Sequence, residues 1–278
     1  MTRLDEKVVL VTGSTDGVGR VVAMRLGRAG ARVLVHGRDR ERGERIVADI
    51  KADGGTADFL AADLGALTEV RRLAGVVQQK TDRLDLLINN AGIGTGGPGA
   101  SRQESADGHE LRFAVNYLSQ FLLTHLLMPL LKKSAPARIV NVASAGQQAI
   151  DFSDVMLTRG YSGARAYCQS KLAQILFTMD LAGELAGTGI TANALHPATY
   201  MNTTMVRLAG VTPWSTVEQG AEAMLNLAIS PALEGRSGLY FNGLREARAD
   251  AQAYDDEARQ RLRALSQQLT GLSDGAAV

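Results

Sequence analysis

A tyrosine and a lysine stand four positions apart in the stretch RAYCQSK, as Tyr167 and Lys171. On a helix that spacing places both side chains on one face, a turn apart. A phenol with its ordinary pKa of about 10 transfers protons poorly at neutral pH. An ammonium beside it favours the phenolate and lowers that pKa. A fall of ~3 units corresponds to about 4 kcal/mol of differential interaction. Tyr167 would then serve as general acid to a carbonyl oxygen receiving hydride, or as base in the reverse direction. Ser144, in VASAG at the end of an apolar run, offers a hydroxyl to hold the substrate oxygen. The competing reading is two ordinary residues on one helix face, so the pair gains meaning only beside a cofactor site.

Such a site is suggested by VTGSTDGVGR (11–20), directly after the first apolar run. Gly13, Gly17 and Gly19 allow a tight turn and close approach of the backbone to a diphosphate, at the free N–H groups of the helix that follows. Ser14, Thr15, Asp16 and Val18 complete the expected cradle; the bland alternative is a glycine-rich turn without a ligand. The second apolar run ends in LVHGRDRERG (34–43). Gly37 stands where an acid would accept hydrogen bonds from the ribose of NAD, and Arg38 follows. A guanidinium can pair with the additional phosphate of NADP, and Arg40 and Arg42 add positive charge, so NADP(H) is favoured over NAD(H). Asp39 reads as a helix N-cap. Asp63, followed by Leu64, can bond the adenine amino group. NNAG (89–92) brings Asn90, Ala91 and Gly92 to where the adenosine and ribose would cross the sheet. His36, His109 and His125 show no ligand spacing with one another or with Cys168, and His196 precedes Pro197 as a structural residue, so no metal site is expected.

The elements that must position these groups are legible as alternating short apolar runs and helical patterns. Strands are expected at 7–12, 31–36, 57–61, 84–89, 137–142, 190–195 and 237–242. Most are continuous apolar runs, the mark of strands covered on both faces. The expectation is an α/β chain, 1–278 as one domain, with a seven-stranded parallel sheet and helices on both faces. The regions 93–106, 145–165 and 196–217 all follow strand ends, where open α/β sheets bind ligands, so they should surround one site. The segment from about 252 to 272 has Ala258, Leu262, Leu265 and Leu269 at helical spacing, predicting a final amphipathic helix.

Taken in order, TGSTDGVG, Asp63, NNAG, Asn116, Ser144, Tyr167 and Lys171 resemble the short-chain dehydrogenase/reductase family, over essentially the whole chain. AYCQSKLAQILFTMDLAGELAGTGITANALHP (166–197) is similar to the branch that contains retinol dehydrogenases, the WW-domain oxidoreductase and protochlorophyllide reductase. The resemblance implies a Rossmann fold, Lys171 on the nicotinamide ribose hydroxyls, and Asn116 holding a water in a proton relay. For Asn116 the bland reading is an interior amide bonding the backbone where a helix bends. The family often has Pro-Gly after the sixth strand; here Pro197-Ala198 precede Thr199, all three expected at the cofactor. Asn202, Thr203 and Thr204 compete for the nicotinamide amide.

Thirty basic and 29 acidic residues nearly cancel, which supplies no field toward nucleic acid or an anionic membrane. One cysteine cannot form an intrachain disulfide. The N-terminus shows no signal or anchor segment, and 121–131 reads as a buried helix too short to span a bilayer, so a cytoplasmic setting is expected. The expected reaction interconverts a carbonyl and an alcohol with NADP(H). Ile93, Met156, Tyr161, Tyr200, Met205 and Trp214 form the expected substrate wall, whose apolar and aromatic make-up points to a lipophilic aldehyde or ketone; the bland alternative is that several of them merely pack the lid. The compound itself is not written in the chain. A dinucleotide-binding sensor without turnover is the alternative from another class. Apolar helices around 111–131 and 167–185 leave a homodimer or homotetramer open.

Overall fold

The computed structural model describes residues 4–97 and 99–272; residues 1–3, Pro98 of the 93–106 loop, and 273–278 lie outside it. In chain order the principal elements are β1 (Val8–Val11), α1 (Gly17–Arg28), β2 (Arg32–Gly37), α2 (Arg40–Ala52), β3 (Thr56–Ala61), α3 (Leu67–Lys80) and β4 (Leu86–Asn89). They continue with α4 (Leu111–Phe113), a π-helical turn (Ala114–Leu118), α5 (Ser119–Lys133), β5 (Ala137–Val142), α6 (Gly163–Glu184) and β6 (Ile190–His196). Then come α7 (Thr204–Leu208), α8 (Val217–Ile229), β7 (Tyr240–Asn242), β8 (Arg245–Ala247) and α9 (Asp256–Thr270). The strands form one sheet in the order β3-β2-β1-β4-β5-β6-β7-β8.

The first seven strands pair in parallel, as expected. The eighth strand was not anticipated: β8 returns antiparallel to β7, with Asn242 opposite Arg245. Its three residues, Arg245, Glu246 and Ala247, lack an apolar run because they form an edge with little to bury.

Alternation along each strand feeds two cores. Val9 and Val11 of β1 pack toward α1 and α8, with Val22, Leu26 and Met224. Val8 and Leu10 face the opposite layer, with Phe121, Leu172 and Leu176. Because crossover helices cover both faces, strands such as Val33, Leu34 and Val35 are apolar throughout.

The run from Leu111 to Lys133 is one helical path of 23 residues with mean hydropathy 1.3. It is longer than the 121–131 segment read from the sequence, and its length and composition alone would let it cross a bilayer. In the fold 83% of its apolar window is buried, so it serves as a core helix. The tail forms α9 within the expected range, but Ser266 and Thr270 are buried alongside Ala258 and Leu262, whereas Leu265 and Leu269 are only partly covered. Ser266 Oγ meets the buried Tyr117 hydroxyl at 2.6 Å.

The order of strands reverses between β1 and β4. That reversal opens a crevice at their carboxyl ends, where α/β sheets receive dinucleotides. The glycine loop leaves β1 and NNAG leaves β4 at this point.

Candidate active site

After β1 the chain turns through Gly13 (φ 63°) and Gly17 (φ 53°), both in the left-handed region that glycine adopts freely. A Cβ on Gly13 would lie 2.8 Å from Ala91 Cα, and one on Gly19 would lie 2.4 Å from Asn90 Nδ2. Thr12 Oγ1 accepts the N–H groups of Asn90 and Ala91 at 2.9 and 3.0 Å. Asn90 Nδ2 donates to the carbonyls of Thr12 and Gly13 at 2.8 and 3.0 Å. These bonds lash the glycine loop to the β4 loop. Behind them His36 Nδ1 accepts the Gly13 N–H at 3.1 Å, and burial pushes its imidazole down to about 4. Ser14 is turned inward, its hydroxyl donating to the Val11 carbonyl at 2.7 Å.

Asp16 caps α1 by accepting the Gly17 N–H at 2.7 Å. Val18 and Gly19 retain first-turn N–H groups that no helical carbonyl can reach. With the helix dipole behind them, such amides suit a diphosphate. The free first-turn amides therefore fit a diphosphate, while Gly13 and Gly19 are required because an added methyl would collide with Ala91 and Asn90 of the β4 loop. Leu64 is buried. Asp63 Oδ1 accepts the Gly65 N–H at 3.0 Å, and its other oxygen stands 3.9 Å from the exposed Arg38 guanidinium. Asp39 caps α2 as expected, accepting from Arg42 N at 3.0 Å.

Ser144 leaves the end of β5, and its Oγ accepts the Gly146 N–H at 3.0 Å. A Cβ on Gly146 would lie 3.5 Å from Ser144 Oγ and 3.8 Å from Tyr167 Cε1, so serine and phenol converge on one bare backbone position. Burial raises the Tyr167 pKa, and a hydrogen bond with Ser144 opposes that rise. Lys171 lies one turn along α6, but its ammonium sits 5.9 Å from the Tyr167 ring centroid and is turned into the interior. It donates to the Val142 carbonyl and to Gln174 Oε1, both at 2.8 Å, and burial lowers its pKa to about 7. The expected lowering of the phenol by this ammonium is thus not set up by direct contact in the protein alone. Desolvation dominates both groups.

Asn116 sits fully buried in the π-helical turn. Its Oδ1 accepts the Ile93 N–H at 2.7 Å, and its Nδ2 donates to the Ile93 carbonyl and to Ser170 Oγ. Its side chain therefore does what an interior amide at a helix irregularity does. The same bonds fix Ile93, at the start of the 93–106 loop, against α6, since Ser170 Oγ donates in turn to the Tyr167 carbonyl at 2.7 Å. A Cβ on Gly92 would lie 3.2 Å from Asn116 Oδ1 and 3.4 Å from Lys171 Nζ, which places Gly92 between them.

The three loops do meet around one crevice. Met205 leans from the 196–217 region to within 2.9 Å of a Cβ on Gly94. Ile93 is half-buried beside it. Tyr200, at φ 44°, stacks edge-on against Trp214 with ring centroids 5.2 Å apart. Trp214 also borders an open cleft of about 570 Å³ with Pro197, Ala198, Thr199 and Leu244. Of the residues competing for the amide contact, Thr203 approaches Gly17 through its methyl group and Thr204 bonds Asp16, while Asn202 accepts from Arg207 at 2.9 Å.

Two expected wall residues are engaged elsewhere. Arg112 and Glu110, 4% and 1% exposed, form a buried cluster with the Tyr161 hydroxyl. Arg112 donates to Tyr161 Oη at 2.6 Å and to the carbonyls of Gly94 and Thr95 at 2.9 and 2.8 Å; Tyr161 donates to Glu110 at 3.0 Å. Met156 Sδ accepts the Glu110 N–H at 3.4 Å. Tyr161 and Met156 thus clasp the 93–106 and 145–165 loops together. Arg112, Glu110, Gln120 and Gln174 were not singled out in the sequence. The available signal was spacing: Gln174 lies one turn beyond Lys171, and Gln120 one turn beyond Asn116.

Among the described residues, no group of three or more His, Cys, Asp or Glu could hold a metal ion. A family model described as short chain dehydrogenase matches residues 7–212. Human retinol dehydrogenase 13 is 38% identical over 289 residues, covering 96% of this chain and 85% of that protein. Human retinol dehydrogenase 11 is 38% identical over 283 residues, covering 97% and 87%. An uncharacterised protein of Mycobacterium paratuberculosis has a crystal structure that superposes with a TM-score of 0.79 at 30% identity, covering 98% of this chain and 96% of that one. The Pseudomonas aeruginosa RhlG/NADP active-site complex gives a TM-score of 0.71 at 31% identity, covering 86% and 95%.

Proposed function

This chain belongs to the short-chain dehydrogenase family, an NAD(P)-dependent oxidoreductase acting on CH–OH and C=O groups, and from that premise we propose that it uses NADP(H) on a lipophilic aldehyde or ketone with Tyr167 as acid/base. The convergence of Ser144 Oγ and the Tyr167 ring on Gly146, at the carboxyl edge of the sheet beside the glycine loop, carries this reading.

A bound nicotinamide dinucleotide supplies or takes the hydride. Everything else falls to the chain. The Gly13–Gly19 loop and the first turn of α1 hold the diphosphate. Ser144 Oγ donates to the carbonyl oxygen and holds it near the phenol. Tyr167 gives its proton to that oxygen as negative charge develops, or takes it back in oxidation. Lys171 keeps one N–H beyond its two interior bonds, available for ribose hydroxyls, and places a positive charge near the phenol. Asn116 fixes the loop that frames the site.

Arg38 supports the preference for NADP(H): it is an exposed guanidinium beside a position where a carboxylate would require Thr15 to shift. Ile93, Tyr200 and Met205 at the mouth support an apolar substrate. The names of the human relatives point the same way, toward retinol-like alcohols and aldehydes. The test is a panel of apolar and polar carbonyls and alcohols, followed by nicotinamide absorbance with each cofactor. Turnover confined to apolar substrates with NADPH is the expected result. Binding of NADPH with silence across the panel would replace the reading with a sensor.

A further inference from the structure

The buried Lys171 ammonium has three donors, and two are already assigned, to the Val142 carbonyl and to Gln174 Oε1. Beyond it the bonding continues. Gln174 Nε2 donates to Gln120 Oε1 at 2.5 Å, and Gln120 Nε2 donates to the Ala91 carbonyl at 2.9 Å. Both glutamines are 1% exposed. The two ends leave this chain no choice of direction. An ammonium can only donate and a carbonyl can only accept, so each amide must turn its oxygen toward Lys171 and its nitrogen toward Ala91. A flipped Gln174 would confront the ammonium with N–H groups inside a dry site, leaving donors unpaired.

The chain joins parts of the site that are distant in sequence. Gln174 lies on α6 with Tyr167 and Lys171, and Gln120 lies on α5. Ala91 belongs to the loop lashed to the glycine turn through Thr12. The polarity of the Ala91 carbonyl is thereby relayed to the catalytic lysine through two buried side chains.

We propose that Gln174, oriented by Gln120, is a positioning residue that keeps the Lys171 ammonium charged and fixed in direction, leaving its third donor for the cofactor ribose. This rests on the oxidoreductase reading but assigns residues which that reading does not use. Burial favours the neutral amine at Lys171, and an amide oxygen at 2.8 Å acts in the opposite sense. The ionisable groups around the lysine are few. Tyr167 and Cys168 lie on its own helix. His196 faces it from β6, its imidazole held below the usual range by burial and then by the lysine's charge. The helix over 111–133 contributes Asn116 and Gln120, β5 contributes the Val142 carbonyl and the turn after it Ser144, none of which titrates near neutrality. Among the described residues no carboxylate pairs with Lys171.

The test is the titration of Lys171 itself, read from its ε-carbon NMR shift in lysine-labelled protein and assigned with Lys171→Arg. Gln174→Met is expected to lower the midpoint by about one pH unit, since a hydrogen bond to a charged group is lost. Gln120→Met should lower it less, and Gln174→Glu should raise it. In turnover, Gln174→Met should move the acid limb of alcohol oxidation upward, as support for the Tyr167 phenolate weakens, and kcat should fall more than KM rises. If Gln174→Met does not fold, Gln120→Met carries the same comparison. Midpoints that coincide in the wild type and the folded variants would overturn the proposal even in a fully active enzyme. The NMR titration needs no turnover, so failure of every carbonyl and alcohol substrate would count against the oxidoreductase reading alone.

Discussion

Thr15 fills the space that a side chain on Gly37 would need: an added Cβ would lie 2.5 Å from Thr15 Cγ2 and 2.6 Å from its Oγ1. A side chain at the end of β2 would therefore require Thr15 to shift, so packing as well as residue type disfavours a carboxylate there. Gly37→Asp alone should weaken both cofactors and lower stability. Paired with Thr15→Gly, it should shift preference toward NADH. Equal cofactor preference in the single and double variants, measured by fluorescence titration, would contradict the packing argument.

The neighbouring Arg38 gives a separate expectation. Arg38→Ala should weaken NADPH by roughly tenfold, the scale of one charge-assisted hydrogen bond, and NADH much less. Equal losses for both would remove the phosphate contact.

Tyr167→Phe preserves the ring and removes the proton. Turnover should fall by about 100-fold or more, the usual weight of a positioned acid or base, while NADPH affinity stays close to wild type. A variant retaining the wild-type rate would disprove the proton-donor assignment.

The Glu110–Arg112–Tyr161 clasp is a buried pair whose single removal strands a charge. Arg112→Met or Glu110→Gln should each cost about 3–5 kcal/mol in urea unfolding. The double variant should be less damaging than the sum, because no unpartnered charge remains. Strict additivity would show that the two act independently.

His36 gives stability a pH dependence. Its folded value is about 4, against 6.5 when unfolded, so between those values the unfolded chain binds more protons. Its contribution is fully present above pH 6.5 and is lost as pH falls toward 4, by about 3 kcal/mol in total. His36→Asn can still accept the Gly13 N–H and should flatten that window. An unchanged slope in the variant would place the acid sensitivity elsewhere.

Much of this was legible in the chain. Continuous apolar runs identified the seven parallel strands because both sheet faces are covered, and glycine spacing marked the turn after β1 because an added side chain there would collide with Ala91 or Asn90. β8 was hidden because three edge residues bury too little to leave a pattern. Ser266 and Thr270 were overlooked because helical periodicity of apolar residues does not register a buried hydroxyl that meets Tyr117 from far along the sequence. Tyr167 and Ser144 could be placed from their strand and helix ends. The direction of the Lys171 ammonium could not, since Val142 and Gln174 decide it through tertiary contact. Tyr161 and Met156 were expected to meet substrate because aromatic and apolar residues in a loop suggest a pocket wall. Their partners, Arg112 and Glu110, come from a different segment.

The bonds from Thr12 and Asn90 hold the glycine loop and the β4 loop together through the protein's own groups. Little of the protein's conformational entropy remains to be lost when a cofactor arrives, which favours a small ordering cost for that step. Tyr200, Met205, Leu208 and Trp214 are exposed by 44%, 39%, 79% and 74%. A substrate that covers those side chains would remove apolar surface from water, and its binding should carry the more negative heat-capacity change of the two. Calorimetry over a range of temperatures would then separate a rigid half-site for the nucleotide from a wetted half-site for the carbonyl.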